Sequence, residues 1–543
     1  MTRFKRRSML QILLVLIALI LTGCNSKELT EQIAQEQLSI EEASQETSQA
    51  TLAEESEMNN CDFEVDYAGI ERGINDGSKA AVHDPSVIKA DNKYYIFGSH
   101  MTTAVSDDLT EWIMVADGYT NKNPVYTDLV DMKSGEFDFT GYSLSRIPTE
   151  SKAVNVWAPD VVYNKALGKY CLYGCTSSTF NASTIYLAWA DSIEGPYIWQ
   201  KNLLYSGETE ENIGDTDILD YVEQDTAVAR YTTNAGFAYN YNEFPNCIDP
   251  TVFYDKEGRM WMVYGSWSGG IFLLEVDEQT GDVIHPEESE GTDVYYGKRL
   301  LGGGHHSIEG PYILYDETSD YYYLFVSYGE LRRDGGYQIR VFRSKTVDGE
   351  YTDMNGAFPD KNIAHEYCGL KLSGNYYLPS LNVGYKATGH NSAFIDDDGR
   401  HYIIYHTRFD KGTEIHTPKA KQYFLNKEGW PCMLPYVTGN ETISDTGYSV
   451  EEIAGRYYVI NQGTKIDAEV VAPTILYLME DGSVVGAEVS GNWKYQEGSY
   501  YMSLLLDGKE YSGVFCKMKD EASTEVMTFT AVGANESVWG VKY

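Results

Sequence analysis

The chain has 543 residues, 43% hydrophobic and 23% charged, a globular composition long enough to bury at least one large core. Lys and Arg number 42 against 81 Asp and Glu, and the net charge of −39 repels phosphate backbones and argues against nucleic acid as a partner. A neutral glycan feels no such repulsion, and the acidity itself requires nothing beyond solubility outside a cell.

The N-terminus is not part of the fold. Arg3, Lys5, Arg6 and Arg7 form a basic stretch, Leu10–Leu21 a short apolar run, and Leu21-Thr22-Gly23-Cys24 follows at once. A Leu, two small residues and a Cys at that point resemble a bacterial lipobox. Residues 1–24 are therefore expected to be a signal peptide, with Cys24 lipidated and the body held on the extracellular face of the membrane. An ordinary signal peptide or a membrane anchor is the competing reading, although spanning takes about 20 apolar residues. Residues 25–65 are rich in Glu, Gln and Ser and are expected to form a disordered tether. Without Cys24, seven of the eight cysteines remain, an odd number. Cys171 and Cys175 would stand about 13 Å apart on one face of a strand, so buried free thiols are expected.

From 66 to 440 one pattern recurs. "AVHDPSVIKADNKYYIFGSH" (81–100) has an apolar run, an Asp-Asn bend and a Tyr-rich run. It returns as "APDVVYNKALGKYCLYGCTS" (158–177), "DPTVFYDKEGRMWMVYGSWS" (249–268), "GPYILYDETSDYYYLFVSYG" (310–329) and "HNSAFIDDDGRHYIIYHTRF" (390–409). Each copy reads as two strands and a turn, usually with a third strand beyond. Five units predict an all-β, five-bladed β-propeller with long loops at 113–152 and 200–246. The innermost strands of a propeller all begin at one mouth of the central channel. Asp84, Asp160, Asp249, Glu309 and His390 occupy that phase, so five residues distant in sequence should ring one opening. Glu194 stands in a second Glu-Gly-Pro-Tyr, but after a third strand, which puts it on the rim.

Carboxylates around a concave mouth suit glycosidic bond cleavage. One must carry a proton for the leaving oxygen, and another must be ionised to activate water or attack the sugar. Trp157 and Trp267 offer stacking faces for sugar rings or ordinary packing. His83, His305 and His306 flank the ring as candidates for bonding substrate hydroxyls, and Arg408 either reaches the cleft or forms a structural ion pair. Gly302–Gly304 lack the Gly-Lys-Ser/Thr ending of a phosphate loop and read as room for backbone near the axis. "DTDILDYVEQDT" (215–226) has neither the Gly nor the Glu of an EF-hand and reads as a solvated loop.

At "HDPSVI", "VWAPD", "CIDPTVF", "SIEGPYI" and "GHNSAF" the chain resembles the five-bladed propellers of glycoside hydrolase family 43, over roughly 80–435. "YGSWSGGIF", "GGGHHSIEGPY", "GHNSAF" and "NKEGWPCMLPY" make it most similar to the endo-acting α-1,5-L-arabinanases. The resemblance implies an inverting mechanism. In it Asp84 is the base that activates water, Glu309 is the acid, and Asp249 orients the acid and keeps it loaded. It also implies that His390 helps hold a central ion, usually calcium, mostly through waters; a core-packed histidine is the other reading. Arabinan, the side chain of pectin, would be the substrate, and a monomer is expected. An exo-acting arabinofuranosidase or β-xylosidase and a non-catalytic glycan-binding lipoprotein are the alternatives. Residues 441–543 lose the blade pattern and read as a small antiparallel barrel or sandwich, like the C-terminal module of two-domain arabinanases.

Overall fold

The computed structural model describes residues 61–74, 80–118, 122–126, 156–178, 182–360, 365–437 and 439–543. The expected lipidation site Cys24, the signal peptide and most of the tether and the 113–152 loop lie outside them.

Each predicted repeat is an antiparallel hairpin. In the first, Asp91 and Asn92 both take left-handed backbone (φ 50° and 60°), the two-residue turn that matches strand twist, and Ala90 pairs with Lys93 across it. Tyr-rich strands follow from double-sided burial. Along Lys93–Gly98, Tyr94 and Ile96 enter one core with Tyr402 and Ile404 of the last blade, while Tyr95 and Phe97 enter another with Leu172 and Tyr186 of the second. Period two thus feeds two cores, which is why these strands read as continuous apolar runs rather than alternating ones.

Five such sheets form the propeller; four have four strands and the third has two short additional ones. The innermost strands are Ser86–Ala90, Val156–Asn164, Thr251–Tyr254, Ile308–Asp316 and Tyr385–Ile395. Each packs against the innermost strands of two neighbours, and the fifth returns to the first, closing the circle.

The 215–226 stretch differs from its reading as a solvated loop. It forms short 3-10 turns leading into the helix Gln224–Tyr231, and Ile213, Ile218, Ala227 and Tyr231 enter the core between blades two and three. Its acids mask one inward row of apolar residues. Asp217 is itself anchored, accepting a hydrogen bond from the Tyr295 hydroxyl at 2.5 Å.

Gly455–Lys542 closes into an eight-stranded barrel, with Tyr458 on its first strand paired to Val541 on its last. Tyr457, Leu476, Trp493, Phe515 and Phe529 fill the interior, as eight strands allow. Residues 63–72, read as the end of the tether and the start of the propeller, instead lie along this barrel. Phe63 meets Tyr477 edge-on and Tyr67 stacks on Tyr458. Barrel and propeller share a core in which Trp539 abuts Tyr376 at 5.0 Å between ring centroids. No disulfide joins any of the seven described cysteines to another, and all but Cys61 are buried.

Candidate active site

The mouth of the propeller is built on a repeated backbone kink. Asp84, Ala158, Asp249, Gly310 and His390 all have φ between 32° and 57°, and in the first four blades a proline follows directly. Left-handed backbone is costly for residues bearing a side chain, and β-bulges disrupt the pairing at this point in blades two, four and five. The kink turns the ring residue toward the axis. Asp84, His390 and Gly310 line one narrow shaft there with Pro85, Pro159, Pro250 and Pro311.

Asp84 is clasped by imidazoles. His83 Nδ1 lies 2.7 Å from Oδ2, His390 Nδ1 lies 3.1 Å from Oδ1, and buried His406 Nδ1 lies 3.7 Å from Oδ1. The Ser99 hydroxyl also donates to Oδ2. Burial pushes the carboxyl up, but the electrostatic pull of His83 and His390, with the His83 hydrogen bond, outweighs it and holds Asp84 well below the usual range. Arg408 sets this arrangement. Its guanidinium reaches Nε2 of both His83 and His406 at 3.2 Å and can only donate. Nε2 of His83 must therefore accept, and its ring turns a hydrogen-bearing Nδ1 toward Asp84. The Asp84 amide donates to His406 Nδ1 at 3.3 Å, so that ring faces donors at both of its nitrogens.

Glu309 is held by three donors. The Trp267 indole donates to Oε2 at 2.7 Å, the Ser266 hydroxyl to Oε2 at 3.2 Å and the Tyr337 hydroxyl to Oε1 at 2.7 Å. Two glycines allow this crowding. A Cβ on Gly310 would stand 3.0 Å from the His390 ring, and one on Gly389 only 2.2 Å from the ring of Tyr337. Asp249 Oδ2 accepts the Gly310 amide at 3.2 Å, gripping the peptide next to Glu309. Burial raises the Asp249 carboxyl to about 7, with Glu309 and Asp84 adding to the rise and His390 opposing it. For His390 itself, burial favours the neutral ring, but Asp84, Asp249 and Glu309 together raise its pKa. Four groups from four blades therefore share one electrostatic environment.

Several expectations change. Asp160 is not a ring residue, because Ala158 holds that position in blade two. Two residues further along, Asp160 lies at the level of Ser86 and Thr251 and ties blades together. Its oxygens take the Ser86 hydroxyl at 2.6 Å and the Val252 amide at 2.7 Å. Burial raises its carboxyl to about 6 against these bonds. With both oxygens engaged, it is an interblade clasp rather than a substrate contact. His83, expected at substrate hydroxyls, has both ring nitrogens committed to Asp84 and Arg408. Arg408 combines the two readings given to it: it pairs with Glu414 at 2.7 Å and reaches the site through the histidines. The Gly302–Gly304 segment lies against Gly269 and Gly270 beside Trp267. His306 stands next to it, its amide donating to the Trp267 carbonyl. Trp157 is half-buried against the core of blades two and three, and Glu194 is exposed, as its phase requires.

Tyr337 and His406 had not been singled out from the sequence. Tyrosine occurs 45 times, so Tyr337 carries no signal, but His406 stands two residues from Arg408 on a strand, which puts both on one face. Trp267 reaches the site through its N–H, and a substitution separates that role from stacking. Trp267→Phe is expected to lower kcat about 10–100-fold with KM nearly unchanged, the loss of one hydrogen bond to a charged group. A raised KM with unchanged kcat would assign the ring to stacking instead.

The side chains on the axis offer ligand-type atoms. His390 faces Asp84 through Nδ1, and in its neutral form it would offer Nε2 to an ion. The adjoining Asn391 has both side-chain polar atoms buried without a hydrogen-bond partner. The shaft has room for about one water-sized sphere, near 10 Å³. His83, Asp84 and His406 also bring ligand-type atoms within 4.8 Å of one another, but Arg408 already supplies the cation there.

Two sequence families match the chain: glycosyl hydrolases family 43 over residues 78–431 and a C-terminal lipocalin-like domain, GH43_C, over 435–540. The extracellular endo-alpha-(1->5)-L-arabinanase of Thermotoga petrophila is 38% identical over 85% of this chain and 94% of its own length. Extracellular endo-alpha-(1->5)-L-arabinanase 2 of Bacillus subtilis is 36% identical over 86% of this chain and 93% of its own. The crystal structure of the endo-1,5-alpha-L-arabinanase from Thermotoga petrophila RKU-1 superposes with a TM-score of 0.73 at 37% identity, covering 86% of this chain and 98% of that one.

Proposed function

Because the chain belongs to glycosyl hydrolases family 43, we propose that it cleaves internal α-1,5-L-arabinofuranosidic linkages of arabinan with inversion at the anomeric carbon. The observation that carries the reading is the split environment of its carboxylates. Asp84, clasped by imidazoles, stays ionised and acts as the base that takes a proton from the attacking water. Glu309 is the acid. The Trp267 indole can only donate and so fixes Oε2 as an acceptor, which leaves Oε1, beside the rotatable Tyr337 hydroxyl, as the oxygen that carries the proton to the leaving group. Asp249 positions Glu309 through the Gly310 amide. Inversion requires the two working carboxyls to stand about 6.5–9.5 Å apart, leaving room for the water.

Internal cleavage releases oligosaccharides first. Chromatography of early products from linear arabinan is expected to give a ladder of arabino-oligosaccharides; arabinose alone at the earliest times would favour the exo-acting alternative.

His390, with Asn391 and Asp84 beside it, would hold a calcium ion, and that ion would supply fixed positive charge beneath the carboxylates. Chelation, or His390→Ala, is expected to lower the melting temperature or the activity of the protein; no change in either overturns the ion. The basic stretch, apolar run and Cys24 support a lipid anchor on the extracellular face of the membrane, and both arabinanase relatives are named extracellular. Mass spectrometry of the mature N-terminus tests it: a diacylglyceryl Cys24 is expected.

A further inference from the structure

A second polar cavity, of about 440 Å³, opens between blade four and the barrel, and nothing in the arabinan reading uses it. Its floor is cationic and rich in spare donors. Lys371 is 6% exposed, and its ammonium gives one of three N–H groups to the Lys465 carbonyl at 2.9 Å. Gln462 is 2% exposed; its Oε1 takes the Gly374 amide, while Nε2 is buried with no hydrogen-bond partner. Behind Lys371 lies Arg340, fully buried, whose donors go to Gln338 and to backbone carbonyls of both domains. Among the described residues, no carboxylate lies within ion-pair distance of either side chain. Burial, with the Arg340 charge adding to it, pulls Lys371 down to about 7. Gly374 keeps the floor open, since a Cβ there would lie 2.8 Å from the end of the Lys371 chain.

The mouth has the opposite character. Exposed Asp467 and Glu469 line it with Thr464 and Asn461. Glu536 also lines the cavity, but it is taken up by Lys509, Asn461 and Tyr511. Spare donors below call for an anionic head, and acceptors above call for hydroxyl groups. Both demands meet in one ligand class. We propose that this cavity binds a sugar acid, its carboxylate on Lys371 and Gln462 Nε2 and its hydroxyls at the Asp467–Glu469 mouth. Such a site would let the protein hold an acidic polysaccharide or its fragments while the propeller works on a neutral chain.

Calorimetric titration of the purified full-length protein tests this with D-galacturonate, D-galactose and acetate as probes. Saturable binding of galacturonate is expected, with galactose and acetate each about tenfold or more weaker, because each lacks one half of the recognition. Lys371→Met and Gln462→Glu are each expected to weaken galacturonate about tenfold or more and to leave arabinan hydrolysis within about twofold. If Lys371→Met fails to fold, Gln462→Glu decides alone. No binding of galacturonate, binding unchanged in the variants, or acetate binding as tightly would each overturn the proposal. Competition by oligogalacturonate would identify a polymer as the source, and its absence the free monosaccharide. Arabinan hydrolysis is read separately, so failure of either site leaves the other standing.

Discussion

Glu309→Gln is expected to lower kcat on linear arabinan about 10²–10⁴-fold, the usual worth of a positioned general acid, with KM little changed. The amide keeps the side chain's size, and its oxygen can still accept from Trp267 and Ser266. Sugar binding therefore survives while the transferable proton is gone. The loss should depend on the leaving group. An arabino-oligosaccharide with an aryl group of low pKa at its reducing end needs no protonation, and the variant should cleave it nearly as fast as the parent does. Undiminished hydrolysis of arabinan itself would overturn the assignment of the acid.

Asp84→Asn should lose activity to a similar degree but without that rescue, because an activated leaving group does not replace the base. Two effects combine here. The amide cannot take the proton from water, and the imidazoles of His83, His390 and His406 lose the charge they face. Removing one partner from such a buried cluster leaves the others uncompensated, so the melting temperature should fall with the activity. The stereochemical test accompanies these kinetics. Proton NMR of the first product should show the β anomer, and the α anomer would exclude water attack assisted by Asp84.

The five hairpins are legible because each repeats one local grammar, an apolar run, an Asp/Asn/Gly bend and a Tyr-rich run, and that grammar is written within each unit. Three of the carboxylates, Asp84, Asp249 and Glu309, were legible for the same reason. Blade two departs from its reading because the carboxyl group is not the marker of the ring; the marker is the left-handed residue, which precedes proline in four of the five blades. By that rule Ala158 is the ring residue, and Asp160 falls one step down the shaft. Tyr337 and His406 reach the site from second and third strands, whose ends meet the axis only once the blades have packed. The 215–226 stretch hid Ile218 among acids at helical spacing, a pattern that resembles a solvated loop until its inward face is known.

The left-handed kink at the head of every blade has a consequence for how the enzyme fails. Asp84, Ala158, Asp249 and His390 each hold a conformation that, in an isolated hairpin, would relax at a gain of about 1–3 kcal/mol. What holds them is the closed circle of neighbours, so slippage of any one blade frees its own residue and loosens the grip on the next. Heating should accordingly reveal no half-melted form that still cuts polymer: catalysis and propeller integrity should vanish in a single step, wherever in the circle the damage begins.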